Sequence, residues 1–249
     1  MLFHRGPLTV GDQALELAVA HALVRRASSG EIDGVLRVYR PSGAVAVFGR
    51  RETRLEGFPR AVRAVSGARF EPVVRATGGR AVAYTEQALV IDHVSRDLHA
   101  PQALDQRFET FGRMFADVFR RLGVDAHVGP VPGEYCPGAQ SVNARGVVKL
   151  VGTAQRVVRD AWLFSSLVVV GDAARVRPVL TDVYRHLDQE FDGASVGSLR
   201  GEAPTLDLDT VEDALLAAYG DLGPLEPTPV DARTMDVANE LVVQHRVQV

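Results

Sequence analysis

Two residues that occur once each in this chain give the strongest indication of chemistry. Cys136 is the only cysteine, and Lys149 is the only lysine, since the other 27 of the 28 basic residues are arginine. A thiol is a good soft nucleophile near neutral pH, and a nearby ammonium favours its reactive thiolate form. An amine, unlike a guanidinium, also gains or loses a proton when its surroundings change. We therefore interpret Cys136 and Lys149 as a catalytic pair. The alternative is a buried, inert thiol and a solvated lysine on an edge strand.

The cysteine lies in the segment GEYCPG, which has the composition of a shaped loop. Pro137 biases the residue before it towards extended backbone, and Gly133 and Gly138 bracket the thiol. No histidine lies in this loop, so His93 and His127 remain distant candidates for a base. The pattern predicts a thiol held on a rigid loop that faces a cleft.

The lysine begins the segment KLVGTAQR, which reads as a strand. Strand alternation places Lys149, Val151 and Thr153 on one face and Leu150 and Gly152 on the other. A glycine inside a strand leaves room for another group to approach the backbone. We expect another group to pass close to the backbone at Gly152.

A third segment, RATGGR at residues 75–80, lies between two strand-like runs. Its paired glycines allow a ligand to approach the backbone closely, and Arg75 and Arg80 are suited to a carboxylate, a phosphate or an acidic partner. The alternative interpretation is a tight hairpin turn with solvated arginines.

The whole chain sets broad limits on function. It has 249 residues with 46% hydrophobic residues, 24% charged residues and a net charge of −3, so we expect a globular protein that does not bind nucleic acid. One cysteine excludes an internal disulfide and is typical of the reducing cytoplasm. We find no apolar run of the roughly 20 residues that a membrane span needs, no signal peptide and no cluster with metal-ligand spacing. The sequence predicts a soluble, cytoplasmic protein without a metal site.

Helical and strand-like segments alternate irregularly along the chain. A T-x-x-D capping box at Thr9 and Asp12 predicts a first helix that ends near Gly30. Residues 35–39 and 44–48 predict a hairpin across Pro41. The pattern predicts an α+β fold with a mixed, largely antiparallel sheet flanked by helices, a single domain over residues 1–249, and a helical C-terminal appendage at residues 193–249. The other predicted elements are a short helix, AVRAV, within residues 57–67, helices at residues 104–122, 211–219 and 231–242, two short helices between residues 172 and 186, and strands at residues 70–74, 81–84, 88–93, 126–128, 147–158 and 163–170.

These three segments together resemble the lipoate–protein ligase and octanoyltransferase superfamily, which shares its fold with the biotin–protein ligases. Residues 75–82 fit the pattern R-x-[ST]-G-G-x-A-V, and residues 149–156 fit K-x-x-G-[ST]-A-Q-R. Arg80 stands where the ATP-using ligases have a third glycine, and the Y-C-P-G loop resembles that of the cysteine-dependent transferases and amidotransferases.

The resemblance implies an acyl tunnel, Cys136 as the acyl acceptor and Lys149 as its partner. The enzyme would move an octanoyl or lipoyl group through a Cys136 thioester to a lysine of a lipoyl-domain protein, such as the glycine-cleavage H protein or the E2 subunits of 2-oxoacid dehydrogenases. It would require no cofactor, and the donor would be acyl carrier protein or a lipoylated protein. The substrate-binding residues that it implies are Arg75, Thr77, Gly78, Gly79, Arg80, Ala81, Gly152, Thr153 and Ala154.

Two other functions are consistent with the same residues. In an ATP-dependent lipoate–protein ligase, ATP and Mg²⁺ would be needed, Lys149 would hold an acyl-adenylate and Cys136 would be incidental. In a non-catalytic acyl-binding protein, neither residue would react.

Overall fold

The structure is a computed structural model that describes residues 1–8 and 11–248. Within these residues the chain forms two β-sheets. Their strands are β1 (Leu2–Arg5), β2 (Gly34–Tyr39), β3 (Val45–Gly49), β4 (Glu71–Arg75), β5 (Val82–Tyr84), β6 (Ala88–Arg96), β7 (Ala126–Val128), β8 (Val142–Ala144), β9 (Val148–Val158), β10 (Ala161–Val169) and β11 (Glu226–Pro227).

Helices surround these sheets. They are α1 (Gln13–Ser28), α2 (Phe58–Gly67), α3 (Leu104–Arg121), α4 (Ala173–His186), α5 (Leu199–Glu202), α6 (Leu208–Gly220) and α7 (Ala232–Leu241), with 3-10 turns at Glu52–Arg54, Gly193–Ser195 and Val242–Gln244.

The larger sheet has the strand order β11-β1-β2-β6-β10-β9-β8-β7. Strand β1 runs parallel to β11 and β2, and the pairs from β2 through to β7 are antiparallel. The smaller sheet has the order β4-β3-β5, with β4 parallel and β5 antiparallel to β3. The prediction of an α+β fold with a mixed, largely antiparallel sheet is therefore confirmed.

Apolar side chains pack on both faces of the larger sheet. One cluster joins this sheet to the smaller sheet and continues to α2 and α4. A second cluster packs α3 and α6 against the opposite face, and a third packs α1 with α7. The helix α3 therefore packs on the face of β9 and β10 that carries Leu150, Val151 and Phe164.

Several local predictions are confirmed. The helix α3 ends just before Gly123, and β7 covers the three predicted residues. Strands β8 and β9 form a hairpin through Arg145 and Gly146, whose φ angles of 56° and 69° fit a left-handed turn. Asp231 caps α7 by accepting a hydrogen bond from Thr234 N. In each case the signal lies within a few residues of the structure that it specifies.

The predicted hairpin at residues 35–48 is wrong. Strand β2 pairs with β1 and β6 in the larger sheet, whereas β3 is the central strand of the smaller sheet. The turn residues at 41–43 carry the chain from one sheet to the other. A Pro/Gly turn shows that a strand ends, but it does not specify which strand the next one joins.

Two predictions at helix starts also need correction. Asp172, with a φ of 61°, precedes a single helix, α4, which contains Pro178 in its interior rather than dividing there into two. The Asp172 carboxylate accepts a hydrogen bond from Thr85 Oγ1 at 3.0 Å instead of capping the helix. At α1 the cap is Asp12, which accepts from Leu15 N at 3.0 Å, and Thr9 lies outside the described residues.

The C-terminal part of the chain packs on the rest at several places. Strand β11 extends the larger sheet beside β1, α6 packs against α3, and α7 packs against α1. The division of the chain at residue 193 stays a prediction. No helix in the described ranges is both long and apolar enough to cross a membrane.

Candidate active site

Cys136 lies in a loop between β7 and β8 whose backbone is held from both sides. Its φ is +43°, so the prediction of extended backbone before Pro137 is wrong. Its N–H donates to the Tyr184 hydroxyl at 2.6 Å, and its carbonyl accepts from Lys149 Nζ at 2.8 Å. These tertiary hydrogen bonds override the local preference of the residue before a proline.

The Lys149 side chain holds this loop in place through an ion pair and two hydrogen bonds. Its Nζ forms an ion pair with Glu134 Oε2 at 2.9 Å, and the two side chains are 2% and 0% exposed. Nζ also donates to the carbonyl of Tyr135 at 3.0 Å and to that of Cys136 at 2.8 Å. Glu134 Oε1 accepts from Gly138 N at 3.2 Å, which closes the loop around the cysteine. The ammonium thus donates to two loop carbonyls and pairs with one loop carboxylate, so all three of these partners belong to the cysteine loop.

A β-bulge in β9 turns the Lys149 side chain towards the cysteine loop. The pairing of β9 with β8 shifts register at this point, so that Leu150 is an extra residue on β9. Leu150 and Val151 both enter the core cluster that contains the α3 side chains. A Cβ at Gly152 would lie 3.6 Å from Lys149 Cε, so Lys149 and Gly152 share the opposite face. The predicted strand alternation is wrong at Lys149, because a bulge reverses which face the next residue occupies.

The glycine-containing segment at residues 75–80 supplies the hydrogen-bond donors that contact the thiol. It joins β4 to β5, which lie on opposite sides of β3, so the hairpin interpretation is wrong. Arg80 N donates to Cys136 Sγ at 3.2 Å, and Arg75 Nη2 lies 3.4 Å from Sγ while donating to the Arg80 carbonyl at 2.6 Å. A Cβ at Gly79, whose φ is +100°, would lie 2.6 Å from Sγ. Only glycine allows the two segments to approach this closely.

Two buried side chains, Glu52 and Tyr184, hold the chain at Ala81, directly after the glycine segment, by hydrogen bonds. The Glu52 carboxylate accepts hydrogen bonds from Gly49 N at 2.8 Å and Ala81 N at 2.9 Å. Burial raises the pKa of Glu52 from its ordinary value. Tyr184 links this segment to the cysteine loop, because its hydroxyl donates to the Ala81 carbonyl at 3.0 Å while accepting from the cysteine N–H. The sequence reasoning missed Glu52, Tyr184 and Glu134. The acid two residues before the cysteine offered a signal for Glu134, and Tyr184 offered none.

Cys136 lines two cavities, which also share Thr153 and Ala154 and therefore approach each other at these residues. The inner cavity is narrow, with a volume of about 50 Å³, and it lies between the two sheets. Its apolar wall comes from α1 and from both sheets, and includes Leu17, Val47, Val82, Val90, Leu163 and Leu167. The outer cavity has a volume of about 690 Å³ and is lined by the cysteine loop, by Lys149 and by Leu104 and Phe108 of α3. A chain held in the inner cavity and a group approaching through the outer one would meet at Cys136.

The histidines near this region do not bring positive charge to the thiol. His21 lines the inner cavity, and its Nδ1 lies 3.2 Å from His245 Nε2. Burial lowers the pKa of His21 to about 3 and that of His245 to about 4. Burial also lowers the pKa of His93, which packs among aromatic rings, to about 4, and His127 pairs with a surface aspartate. Neither His93 nor His127 lines the two cavities at the cysteine.

Eight of the nine residues predicted for substrate binding line the two cavities at Cys136 or the cleft beside them, and Ala81 does not. Arg75, Thr77, Gly152, Thr153 and Ala154 line the inner cavity. Gly78 and Gly79 line the outer one, together with Thr153 and Ala154. Arg80 borders a third cleft beside the two glycines, and Ala81 binds Glu52 through its N–H. Across residues 1–8 and 11–248, no three His, Cys, Asp or Glu side chains are grouped to hold a metal ion.

Known proteins with similar sequences include an acyltransferase. The chain is 26% identical over 187 residues to the octanoyl-[GcvH]:protein N-octanoyltransferase of Geobacillus kaustophilus, an alignment that covers 75% of this chain and 65% of that protein. The chain thus spans just under two thirds of the length of this relative.

Solved structures share the fold over nearly the whole chain. Lipoate-protein ligase A bound with ATP superimposes with a TM-score of 0.75 at 19% identity, covering 98% of this chain and 95% of that one. The bi-partite lipoate protein ligase of Thermoplasma acidophilum, described with its E2 lipoyl domain, has a TM-score of 0.72 at 17% identity and covers 98% and 91%. The model of the lipoyl protein ligase A/B catalytic domain matches residues 12–220. Because this match covers most of the chain, the chain belongs to the lipoyl protein ligase A/B catalytic domain family.

Proposed function

We propose that this protein is an acyltransferase of protein lipoylation that carries an octanoyl group on Cys136. The donor would be an octanoylated lipoyl-domain protein of the GcvH type, and the acceptor would be a lysine of a second lipoyl-domain protein, such as an E2 subunit. The activity named for the Geobacillus relative supports this choice of donor. We expect the reaction to need no cofactor and to take place in the cytoplasm, where a single thiol stays reduced.

The position of Cys136 Sγ is the observation that carries the proposal. Cys136 borders both a narrow, mainly apolar cavity and a wider outer cavity. It also accepts a hydrogen bond from Arg80 N and contacts the Arg75 guanidinium. Donors at these positions stabilise negative charge on the sulfur before the reaction and on the carbonyl oxygen during it. An apolar chain in the inner cavity would place its carbonyl carbon against the sulfur.

The reaction would proceed in two balanced halves. In the first, the sulfur attacks the carbonyl carbon of the octanoyl-lysine amide. The C–N bond breaks, the hydrogen of the thiol leaves on the lysine amine, and a thioester remains on Cys136. In the second half, an amine of the acceptor protein attacks the thioester. The C–S bond then breaks, a new amide forms, and one hydrogen of the amine returns to the sulfur.

Lys149 would act mainly by holding the cysteine loop, since its ammonium is bound to Glu134 and to two loop carbonyls. It also lines the outer cavity, through which an amine would approach. We therefore propose a second role, in which Lys149 releases one carbonyl and relays the proton between the amine and the sulfur. Arginine at this position would keep the charge but could not relay a proton.

An ATP-dependent lipoate ligase is the main competing function, because one structural neighbour is described with bound ATP. Two features favour the transferase. Arg80 occupies the position of a third glycine in the glycine segment, and Cys136 Sγ is contacted by Arg80 N and by the Arg75 guanidinium, contacts that an adenylating ligase would not need. A non-catalytic acyl-binding protein would have no use for donors placed around a thiol.

Parallel assays separate these functions. The acceptor lipoyl domain is incubated with the enzyme and one of three donors: octanoyl carrier protein, octanoyl H protein, or free lipoate with ATP. We expect transfer from octanoyl H protein and its loss in Cys136→Ser. Lipoate-dependent pyrophosphate release that survives in Cys136→Ala would instead establish the ligase. Binding of the lipoyl domain without transfer from any donor would establish the non-catalytic protein.

A further inference from the structure

One segment of the chain is strongly basic although the whole chain is acidic. Residues 50–80 contain eight arginines and three glutamates, a net charge of +5. The rest of the chain contains 20 basic and 28 acidic residues, a net charge of −8. This segment covers the 3-10 turn after β3, the helix α2, the strand β4 and the glycine segment at the thiol. We call its surface the basic face.

The arginines of the basic face form no ion pair with any carboxylate in the described residues. Of the 19 arginines elsewhere in the chain, 12 form such pairs. Seven of the eight on the basic face are also exposed, and Arg75 is half-buried. Clustered like charges without counter-charges destabilise the folded chain by mutual repulsion. Their presence therefore suggests that they bind another molecule.

The basic face reaches the reactive sulfur. Arg50, Arg51 and Arg80 border a cleft of about 580 Å³ that also includes Gly78 and Gly79. At one edge of this cleft Arg80 N donates to the thiol. Arg50 also lines a neighbouring cleft together with Arg54. The helix α2, which packs beside the 3-10 turn Glu52–Arg54, adds two exposed arginines, Arg60 and Arg63.

We infer that the basic face is the docking surface for the octanoylated donor protein, which would present an acidic face around its acyl-lysine. This inference rests on the proposed function. Positive charge beside the cavities attracts such a partner and orients it with its acyl arm towards the sulfur. A nucleic acid fits less well, because the remaining −8 of charge would repel a long polyanion.

Charge removal at a distance from the sulfur tests the inference. The variant Arg54→Gln/Arg60→Gln/Arg63→Gln changes exposed arginines that touch neither cavity at the cysteine. Its matched control, Arg96→Gln/Arg121→Gln/Arg159→Gln, removes three exposed arginines outside the basic face that also lack an ion pair within the described ranges. Formation of the Cys136 thioester is measured with octanoyl H protein and with octanoyl pantetheine, a small thioester without a protein surface.

We expect kcat/KM with octanoyl H protein to fall about tenfold or more in the basic-face variant and to change less than about twofold in the control. Both variants should react with octanoyl pantetheine as the wild type does. The wild-type rate with octanoyl H protein should also fall as salt rises, and that dependence should weaken in the basic-face variant.

Three results would overturn the inference. The first is that the basic-face variant and the control react with octanoyl H protein at equal rates. The second is that the basic-face variant loses as much activity with octanoyl pantetheine as with octanoyl H protein, and the third is that salt does not change the wild-type rate with octanoyl H protein. Tight binding of duplex DNA to the wild type, lost in the basic-face variant, would assign the surface to nucleic acid instead. If the wild type forms no thioester with either donor, the proposed function itself fails, which is a different outcome.

Discussion

The buried pair of Glu134 and Lys149 provides a sharp test of how the site is held together. We consider three variants: Lys149→Met, Glu134→Gln and the combination of both. Methionine keeps most of the length of the lysine side chain but removes its charge and its three donors. Glutamine keeps an oxygen for the loop N–H groups but removes the negative charge.

The expected magnitude follows from burial and from the hydrogen bonds that the ammonium makes. Both side chains are almost fully buried, and Lys149→Met leaves the Glu134 carboxylate and two loop carbonyls without their ammonium donor. Removing one partner of a buried pair typically costs about 3–5 kcal/mol, because the other charge stays buried and uncompensated. In a protein of this size that corresponds to a fall in Tm of about 6–20 °C. The double variant should lose less than the sum of the single ones, by about 1–3 kcal/mol.

Equilibrium denaturation by guanidinium chloride measures these free energies of unfolding, and the transfer assay reports on the loop. We expect acyl transfer to be lost in all three variants, including the double variant that regains part of its stability. Lys149→Met within about 1 kcal/mol of the wild type, or additive losses in the double variant, would show that the pair does not hold the cysteine loop.

Two further predictions concern the contact at the thiol and the buried histidines. Gly79→Ala should lower acyl transfer about 100-fold or more, because its Cβ would lie 2.6 Å from the Cys136 sulfur and must displace it. Gly78→Ala, whose Cβ meets nothing within 4 Å, is the matched control, and equal rates for the two variants would refute this geometry. Acid should destabilise the protein through His21 and His245, whose pKa values rise from about 3 and about 4 in the fold to 6.5 on unfolding. Their contribution to stability is therefore complete above pH 6.5 and falls towards pH 4 by about 1.4 kcal/mol per pH unit for each histidine. Replacing both by glutamine should flatten the loss measured by denaturation at about pH 7 and about pH 5, and an unchanged loss would assign the acid sensitivity to other groups.

Features that neighbouring residues specify could be predicted from the sequence. The apolar spacing of α3, the turn at Arg145 and Gly146 and the cap at Asp231 each depend on residues within a few positions. The two single residues, Cys136 and Lys149, were also informative, because a residue type used once points to a particular role. The structure brings the two residues together, because Lys149 Nζ binds the Cys136 carbonyl at 2.8 Å, but the contacts to the sulfur come from Arg80 N and Arg75. The catalytic pairing of the ammonium with the thiolate stays a prediction.

Features that distant segments create could not be predicted in this way. The sulfur contacts Arg75 across 61 positions of the chain, and Tyr184 reaches the cysteine N–H across 48. The left-handed backbone at Cys136 results from such tertiary hydrogen bonds and contradicts the local preference. The bulge at Leu150 depends on how β9 pairs with β8, so a single-strand pattern placed Lys149 on the wrong face.

The central claim is that an acyl group is carried on the sulfur of Cys136. The most direct measurement is the intact mass of the enzyme, quenched in acid after brief mixing with octanoyl H protein and followed by peptide mapping. We predict one octanoyl adduct on the peptide that contains Cys136, formed and consumed quickly enough to account for turnover, and absent in Cys136→Ser. Transfer to the acceptor at an undiminished rate in Cys136→Ser, or an adduct located on another residue, would contradict the account.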